Sequence, residues 1–190
     1  MMTAVLAYLL IVCYFIIERL LRKGEKALSL QLSESDQGSS KILWVSGLLS
    51  ILLALCAPIL NAIQIGNWNG TYIGWIGVVV MLGGLSLRYW AAKTLGKFYT
   101  RTLQTIEEQQ IIDKAPYSLV RHPGYLGISL LEIGAGLAVS NWIVLAAIML
   151  IGALSRVYRI QVEEEMLNTE FGEQYKVYSE KTWKLVPFIY

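Results

Sequence analysis

Charge is scarce in this chain, and its absences are informative. Asp, Glu, Lys and Arg make up 16% of the 190 residues while 55% are hydrophobic; a soluble domain carries about a quarter charged residues. From Ile42 to Leu87 there is no charged residue at all, a run too long for one membrane span and right for two, since one needs about 20 apolar positions. Histidine occurs once, at His122, and cysteine twice, at Cys13 and Cys56, with no CxxC spacing. That excludes a disulfide framework and a zinc site, and no metal is expected; both cysteines read as packing residues buried in lipid. No GxGxxG pattern is present, so the glycines are not a nucleotide loop. The net charge of +2 comes without a basic tract, and no nucleic-acid partner is expected. A cleaved leader would carry its positive charges before the apolar core. Here Met1 to Ile17 is apolar and Glu18, Arg19, Arg22 and Lys23 follow, so an uncleaved first helix is expected.

What is present predicts an all-α integral membrane protein of about five transmembrane helices, with helices 4 and 5 forming a hairpin and a C-terminal helix on the cytoplasmic face. The first helix covers Met1 to Ile17, extended by Glu18 and Arg19 at the interface. Gly24 to Lys41, with Ser33-Glu34-Ser35-Asp36 and Gly38-Ser39-Ser40, reads as an exposed loop. Two helices fill the uncharged run and turn at the patch Asn61, Gln64, Asn67, Asn69, Gly70; Pro58 bends the first of them. The third helix, about Tyr72 to Ala92, carries Gly70, Gly74, Gly77, Gly83 and Gly84, read as positions of close helix approach. Lys93 to Val120 is polar. Tyr125 to Val139 and Trp142 to Val157 form the hairpin, turning at Ser140-Asn141. Past Arg156 an amphipathic helix with Val162, Met166, Tyr175 and Tyr178 on its apolar face leaves the membrane, and Pro187-Phe188-Ile189-Tyr190 rests on the interface as an anchor. Residues 1–92 then form a three-helix part and 93–190 a functional part of one integrated domain.

All 16 Lys and Arg fall in residues 19–41, 88–121 and 156–184. Five spans with the N-terminus outside place every one on the cytoplasmic side, as the positive-inside rule asks; an even number would not.

The hairpin carries Glu163-Glu164-Glu165 back to the face where Arg121 and His122 begin. A lone histidine is ordinarily structural and an acidic run ordinarily a solvated helix face. Here His122 precedes a proline, which disfavours helix at His122 itself. Arg121 and Arg159 stand at the ends of adjacent apolar helices, where either can take a carboxylate in a two-point grip. Arg159 and Glu163 lie four residues apart on one helical face. Glutamates there are candidates for binding a cation such as a sulfonium or an amino group, and Tyr117 and Tyr125 offer flat surfaces for a ring. Glu132, inside an apolar helix, is a functional candidate by position, or else snorkels or pairs with an arginine.

The ordered set Arg121-His122-Pro123-Gly124-Tyr125-Leu126-Gly127, Arg159-Ile160-Gln161-Val162-Glu163-Glu164, Phe171-Gly172-Glu173-Gln174-Tyr175 with Tyr178, and Pro187-Phe188-Ile189 resembles the isoprenylcysteine carboxyl methyltransferases. The likeness covers roughly the C-terminal half, from about Phe98 onward. It implies a membrane enzyme that moves a methyl group from S-adenosyl-L-methionine to the carboxylate of a prenylated cysteine, with membrane lipids around it and a lipid-side opening for the prenyl chain. By position, Gln109, Gln110, Ile111, Ile112, Tyr117, His122, Pro123, Gly124, Tyr125 and Glu163 would hold the cofactor. Arg159 would face the substrate carboxylate, and the residues carrying the reaction would be Arg159 and Glu163 supported by Arg121 and Glu164. Gln109 stands where better-known eukaryotic members carry histidine, Ala115-Pro116-Tyr117 replaces a glycine-containing turn, and extra N-terminal helices are lacking. These departures point to a prokaryotic cell membrane and leave open which lipophilic carboxylate is the acceptor. Three other readings stay open: a phospholipid or small-lipid N-methyltransferase, in which Glu164 or Glu132 would take a proton from an amine, a reductase using a nicotinamide cofactor, and a small membrane scaffold.

Overall fold

The computed structural model describes residues 2–21, 36–68, 71–99 and 110–188. Among them are six α-helices: α1 (Met2–Leu21), α2 (Ser39–Ala62), α3 (Thr71–Leu95), α4 (Pro123–Ala138), α5 (Trp142–Phe171) and α6 (Glu173–Lys181). A short 3-10 turn, Gly96–Phe98, follows α3. β-structure among the described residues is limited to two isolated bridges.

Four of the helices, α1, α2, α3 and α5, are long and apolar enough to cross a bilayer. The fourth in order, α4, has 16 residues, about 24 Å at the helical rise, yet it reaches both ends of the bundle. Its first turn lies beside α5 near Glu163, and Val139 and Asn141 just past its last turn bond to Asn61 at the end of α2. The bundle is therefore five antiparallel segments deep. Large side chains such as Leu9, Leu48, Ile59, Val79, Leu150 and Leu154 point outward, while Ala7, Ala54, Ala57, Ala135 and Ala138 fill the centre. Small inside and large outside is how helices pack when lipid is as apolar as leucine. The chain is an integral membrane protein.

The closest approach is between α3 and α4. A Cβ on Gly84 would meet the Gly127 carbonyl oxygen at 2.6 Å, and one on Gly127 would meet the Gly84 carbonyl oxygen at 2.8 Å. Gly77 and Gly134 repeat the arrangement two turns away, so the two backbones touch along a glycine seam. Gly74 faces Thr3, and Gly83, expected with the packing set, faces open space; it lies one residue off the seam. Gly70 and Asn69 are outside the described residues.

Three other expectations are corrected. Within residues 36–41, read as exposed loop, Asp36, Ser39 and Ser40 are buried and α2 begins at Ser39, because a buried arginine on α5 draws those three side chains inward. The amphipathic stretch after Arg156 is not a separate helix. α5 runs unbroken to Phe171, because Arg156 and Arg159 find acidic partners inside the bundle, and the break comes at Gly172, whose φ of 52° few other residues adopt. Cys13 and Cys56 are exposed on the bundle's outer surface and so do not pack inside the protein.

At the end away from the charges, Asn141 caps α5 by accepting from Val144 N at 3.1 Å and donates to Asn61 Oδ1 and to the Ile65 carbonyl, both at 2.8 Å. One side chain thus closes both hairpins on that face.

Candidate functional site

The site is built where α4 and α5 begin and end their charged turns. Pro123 locks the first helical φ of α4 and leaves His122 non-helical at φ −121°, ψ 54°. That turn is held from outside by the segment after α6. Arg121 N donates to the Trp183 carbonyl at 2.8 Å, His122 N to the Lys184 carbonyl at 3.2 Å, and Trp183 N to the Leu119 carbonyl at 3.0 Å. The C-terminal segment thus braces the turn that carries Arg121 and His122.

The two glutamates have different surroundings. Glu164 is saturated: Arg121 Nε lies at 2.9 Å, Lys184 Nζ at 2.9 Å and His122 Nε2 at 3.2 Å. Since a carboxylate only accepts, the imidazole donates through Nε2. Arg121 is further tied to the Ser179 and Thr182 carbonyls. Glu163 instead accepts from the Tyr125 hydroxyl at 2.6 Å, with His122 Nδ1 at 4.0 Å, and no Lys or Arg among the described residues pairs with it. It lines a cavity with Ile112, Tyr117, His122, Tyr125, Tyr175 and Tyr178. Tyr175 is buried, and among the described residues its hydroxyl has no hydrogen-bond partner. Burial raises the phenol of Tyr117 well above its ordinary value, and pushes Tyr178 up to about 12, so both stay protonated.

Of the residues expected here, Gln110, Ile111, Ile112, Tyr117, Arg121, His122, Gly124, Tyr125, Arg159 and Glu163 all line this one cavity. Pro123 and Glu164 do not: Pro123 is buried in the packing and Glu164 stands behind the wall. Gln110 to Ile112 form no strand. Gln109 lies outside the described residues.

Sequence reasoning missed Arg88. It is buried on α3, bonded through Nε to Glu18 Oε1 at 2.8 Å, with the Tyr99 hydroxyl on the same oxygen at 2.6 Å. Gly124 has no side chain where Arg88 passes: a Cβ would sit 2.6 Å from Nη1. Arg88 and Leu43 line both the polar cavity and a second, apolar one of about 390 Å3 bounded by α1, α2, α4 and α5. The signal was available, since Arg88 is the first charge after the uncharged run. Glu132 is resolved as half of an ion pair with Arg156 Nη1 at 2.5 Å, on the wall of the apolar cavity. Gly152 leaves the room for that pair.

A bundle of membrane-crossing helices with an acidic, tyrosine-lined cavity beside an apolar one, Leu43 and Arg88 lining both, defines an integral membrane protein with a polar pocket and a lipophilic pocket side by side. The sequence profile of the isoprenylcysteine carboxyl methyltransferase family matches residues 75–169, half of the chain, and the chain belongs to that family. A probable protein-S-isoprenylcysteine O-methyltransferase of Oryza sativa subsp. indica is 31% identical over 122 residues, covering 62% of this chain and 63% of the relative. Protein-S-isoprenylcysteine O-methyltransferase B of Arabidopsis thaliana is 28% identical over 161 residues, covering 80% and 82%. The solved structure of the eukaryotic intramembrane Ras methyltransferase superposes with a TM-score of 0.63 at 25% identity, over 76% of this chain and 52% of that one. The chain thus spans about 63% of the length of the rice relative. These relatives are eukaryotic, and the expectation of a prokaryotic source gains no support from them.

Proposed function

We propose that this chain transfers a methyl group from S-adenosyl-L-methionine to the carboxylate of a lipophilic, isoprenylcysteine-like acceptor. The observation that carries the reading is Glu163: an acid on the wall of a tyrosine-lined cavity, hydrogen-bonded to the Tyr125 hydroxyl, with no Lys or Arg among the described residues in direct contact with it. The ammonium group that S-adenosylmethionine shares with S-adenosylhomocysteine can donate a charge-assisted hydrogen bond to Glu163. These residues fit S-adenosylmethionine, which when bound would supply an electrophilic methyl group on a sulfonium.

The remaining work belongs to the chain. An acceptor carboxylate has a pKa of about 3.5 in water and is already ionised at neutral pH, so no strong base is needed. Glu164 is consumed by Arg121, His122 and Lys184, and Glu132 by Arg156, which disfavours the amine-methylating alternative, where a free base is required. Positioning and exclusion of water supply the rate. The apolar cavity, walled by Ile11, Phe15, Leu48, Ile51, Ala54 and Ile148, takes the hydrocarbon chain. Leu43 and Arg88, which line both cavities, mark where the carboxylate would meet the methyl donor. Arg159, expected from the sequence to receive that carboxylate, lines the polar cavity alone. Arg88 lines both cavities, and we infer that it is the guanidinium nearer the acceptor, sharing its charge with Glu18. The charged end faces the cytoplasm and the N-terminus lies outside, in keeping with the placement of Lys and Arg.

Calorimetric titration of S-adenosylhomocysteine into the detergent-purified protein tests the reading, followed by base-labile methylation of N-acetyl-S-farnesylcysteine. Binding in the wild type, weakened at least tenfold in Glu163→Gln, is expected, since a charge-assisted hydrogen bond is worth about 1.5–3 kcal/mol. A folded wild type that does not bind overturns it.

A further inference from the structure

Glu163 is wired to a part of the chain that does not touch the cavity. The Tyr125 hydroxyl that donates to Glu163 accepts from Arg159 Nε at 3.0 Å. The Nη1 of the same guanidinium lies 2.8 Å from Asp36 Oδ1, 2.7 Å from Ser39 Oγ and 2.8 Å from Ser40 Oγ. Asp36 is fully buried and Arg159 is 4% exposed. Asp36 is itself fixed by the first turn of α2: Ser40 N donates to Oδ2 at 3.1 Å and Ser40 Oγ to Oδ1 at 2.6 Å. Burial alone would raise this carboxyl, but those bonds from Ser40 and the Arg159 guanidinium hold it below its ordinary value, so it is a carboxylate at neutral pH. The segment is fastened a second time, by Tyr158 Oη donating to the Gln37 carbonyl at 2.9 Å.

A buried guanidinium needs a counter-charge, and here the fold supplies it before any ligand arrives. An acceptor carboxylate seeking Arg159 would have to compete with a built-in one held by three partners. With its Nη1 end committed to α2, Arg159 presents Nε to the tyrosine oxygen, which leaves the phenol proton only one direction to point, toward Glu163.

We propose that Asp36 is a positioning residue: by holding Arg159 it orients the Tyr125 hydroxyl onto Glu163 and so fixes the carboxylate that receives the ammonium group of the methyl donor. The inference rests on the methyl-donor reading above and changes the role of Arg159 within it, from receiving the acceptor to setting the donor site. It also brings the N-terminal part into the site, since Asp36 lies outside the residues matched by the family profile.

The test compares wild type, Asp36→Asn, Asp36→Glu and the Ser39→Ala/Ser40→Ala double variant as full-length protein in detergent. It reads S-adenosylhomocysteine affinity by calorimetry and the KM for N-acetyl-S-farnesylcysteine by methyl transfer. Asp36→Asn is expected to weaken S-adenosylhomocysteine about tenfold with the acceptor KM within twofold of wild type, Asp36→Glu to recover part of the loss, and Tyr125→Phe to add little on top of Asp36→Asn. If Asp36→Asn does not fold, the double serine variant, which keeps the carboxylate, is expected to lose about threefold in the same measurement, and wild-type affinity there overturns the proposal. Unchanged donor affinity in Asp36→Asn, or an acceptor KM lowered severalfold because Arg159 has been released to bind the acceptor, overturns this inference alone. No binding in the wild type overturns the methyl-donor reading and this one with it.

Discussion

Two adjacent glutamates on one helix do different things here because of what faces them. Glu164 gathers Arg121, Lys184 and His122 and ties α5 to the C-terminal segment; Glu163 keeps its charge for the cavity. Glu164→Gln is therefore expected to lower thermal stability more than donor affinity, and Glu163→Gln the reverse, a crossed pattern that melting and calorimetry on the same two proteins will read. Tyr178 gives a pH signature. Its hydroxyl donates to the Tyr117 carbonyl at 2.8 Å, and burial moves its pKa from 10.0 to about 12. A raised value in the folded state means its contribution is complete below pH 10.0 and is lost as pH rises through about 12. The difference in melting temperature between wild type and Tyr178→Phe should stay constant up to that window and shrink across it. At this scale the sequence was readable where chemistry is local. The proline after His122 and the spacing of Arg159 and Glu163 pointed at the right wall. Asp36, Ser39 and Ser40 were not readable, since a polar run between helices looks like a loop until an arginine more than a hundred residues later claims it.

Helices in this bundle are placed by contacts that a hydropathy pattern can suggest but not assign. The glycine seam is the clearest case. Gly84→Ala puts a methyl group against the Gly127 carbonyl and the Leu131 amide, and should cost about 1–3 kcal/mol in overpacking. Gly83→Ala, its immediate neighbour, meets nothing within 4 Å and should be neutral or stabilising by up to about 1 kcal/mol, alanine being the better helix former. Thermal melts of the two variants in one detergent check this, and equal losses would remove the seam as an explanation. Glu132 and Arg156 join α4 to α5 by a buried ion pair. Glu132→Ala should destabilise by about 3–5 kcal/mol, and adding Arg156→Met should restore much of it, because the expensive state is the unpaired charge. The extents of α1 to α3 and the hairpin turn at Ser140-Asn141 were legible from apolar runs and turn residues. The unbroken course of α5 was not, since the charges that looked like an exit from the membrane turn inward to Glu132 and Asp36.

The molecule as a whole has a charged end and a neutral end. Asn61, Gly66, Asn67 and Asn141 close the neutral one, and the five-segment bundle places Ile63 and Gln174 on opposite faces. Single cysteines at those two positions, in a background with Cys13 and Cys56 replaced by alanine, should be labelled by an impermeant maleimide from opposite sides of the membrane. Labelling from one side would refute the odd number of crossings. On the proposed function, the placing of a polar and an apolar cavity on either side of Leu43 and Arg88 has a kinetic consequence. A protein that draws one ligand from water and the other sideways from the bilayer responds to two different measures of abundance, moles per litre for the first and mole fraction per membrane area for the second. Adding inert lipid to vesicles at fixed total acceptor should therefore slow turnover as if acceptor had been withdrawn, while leaving the half-saturating level of the soluble donor where it was.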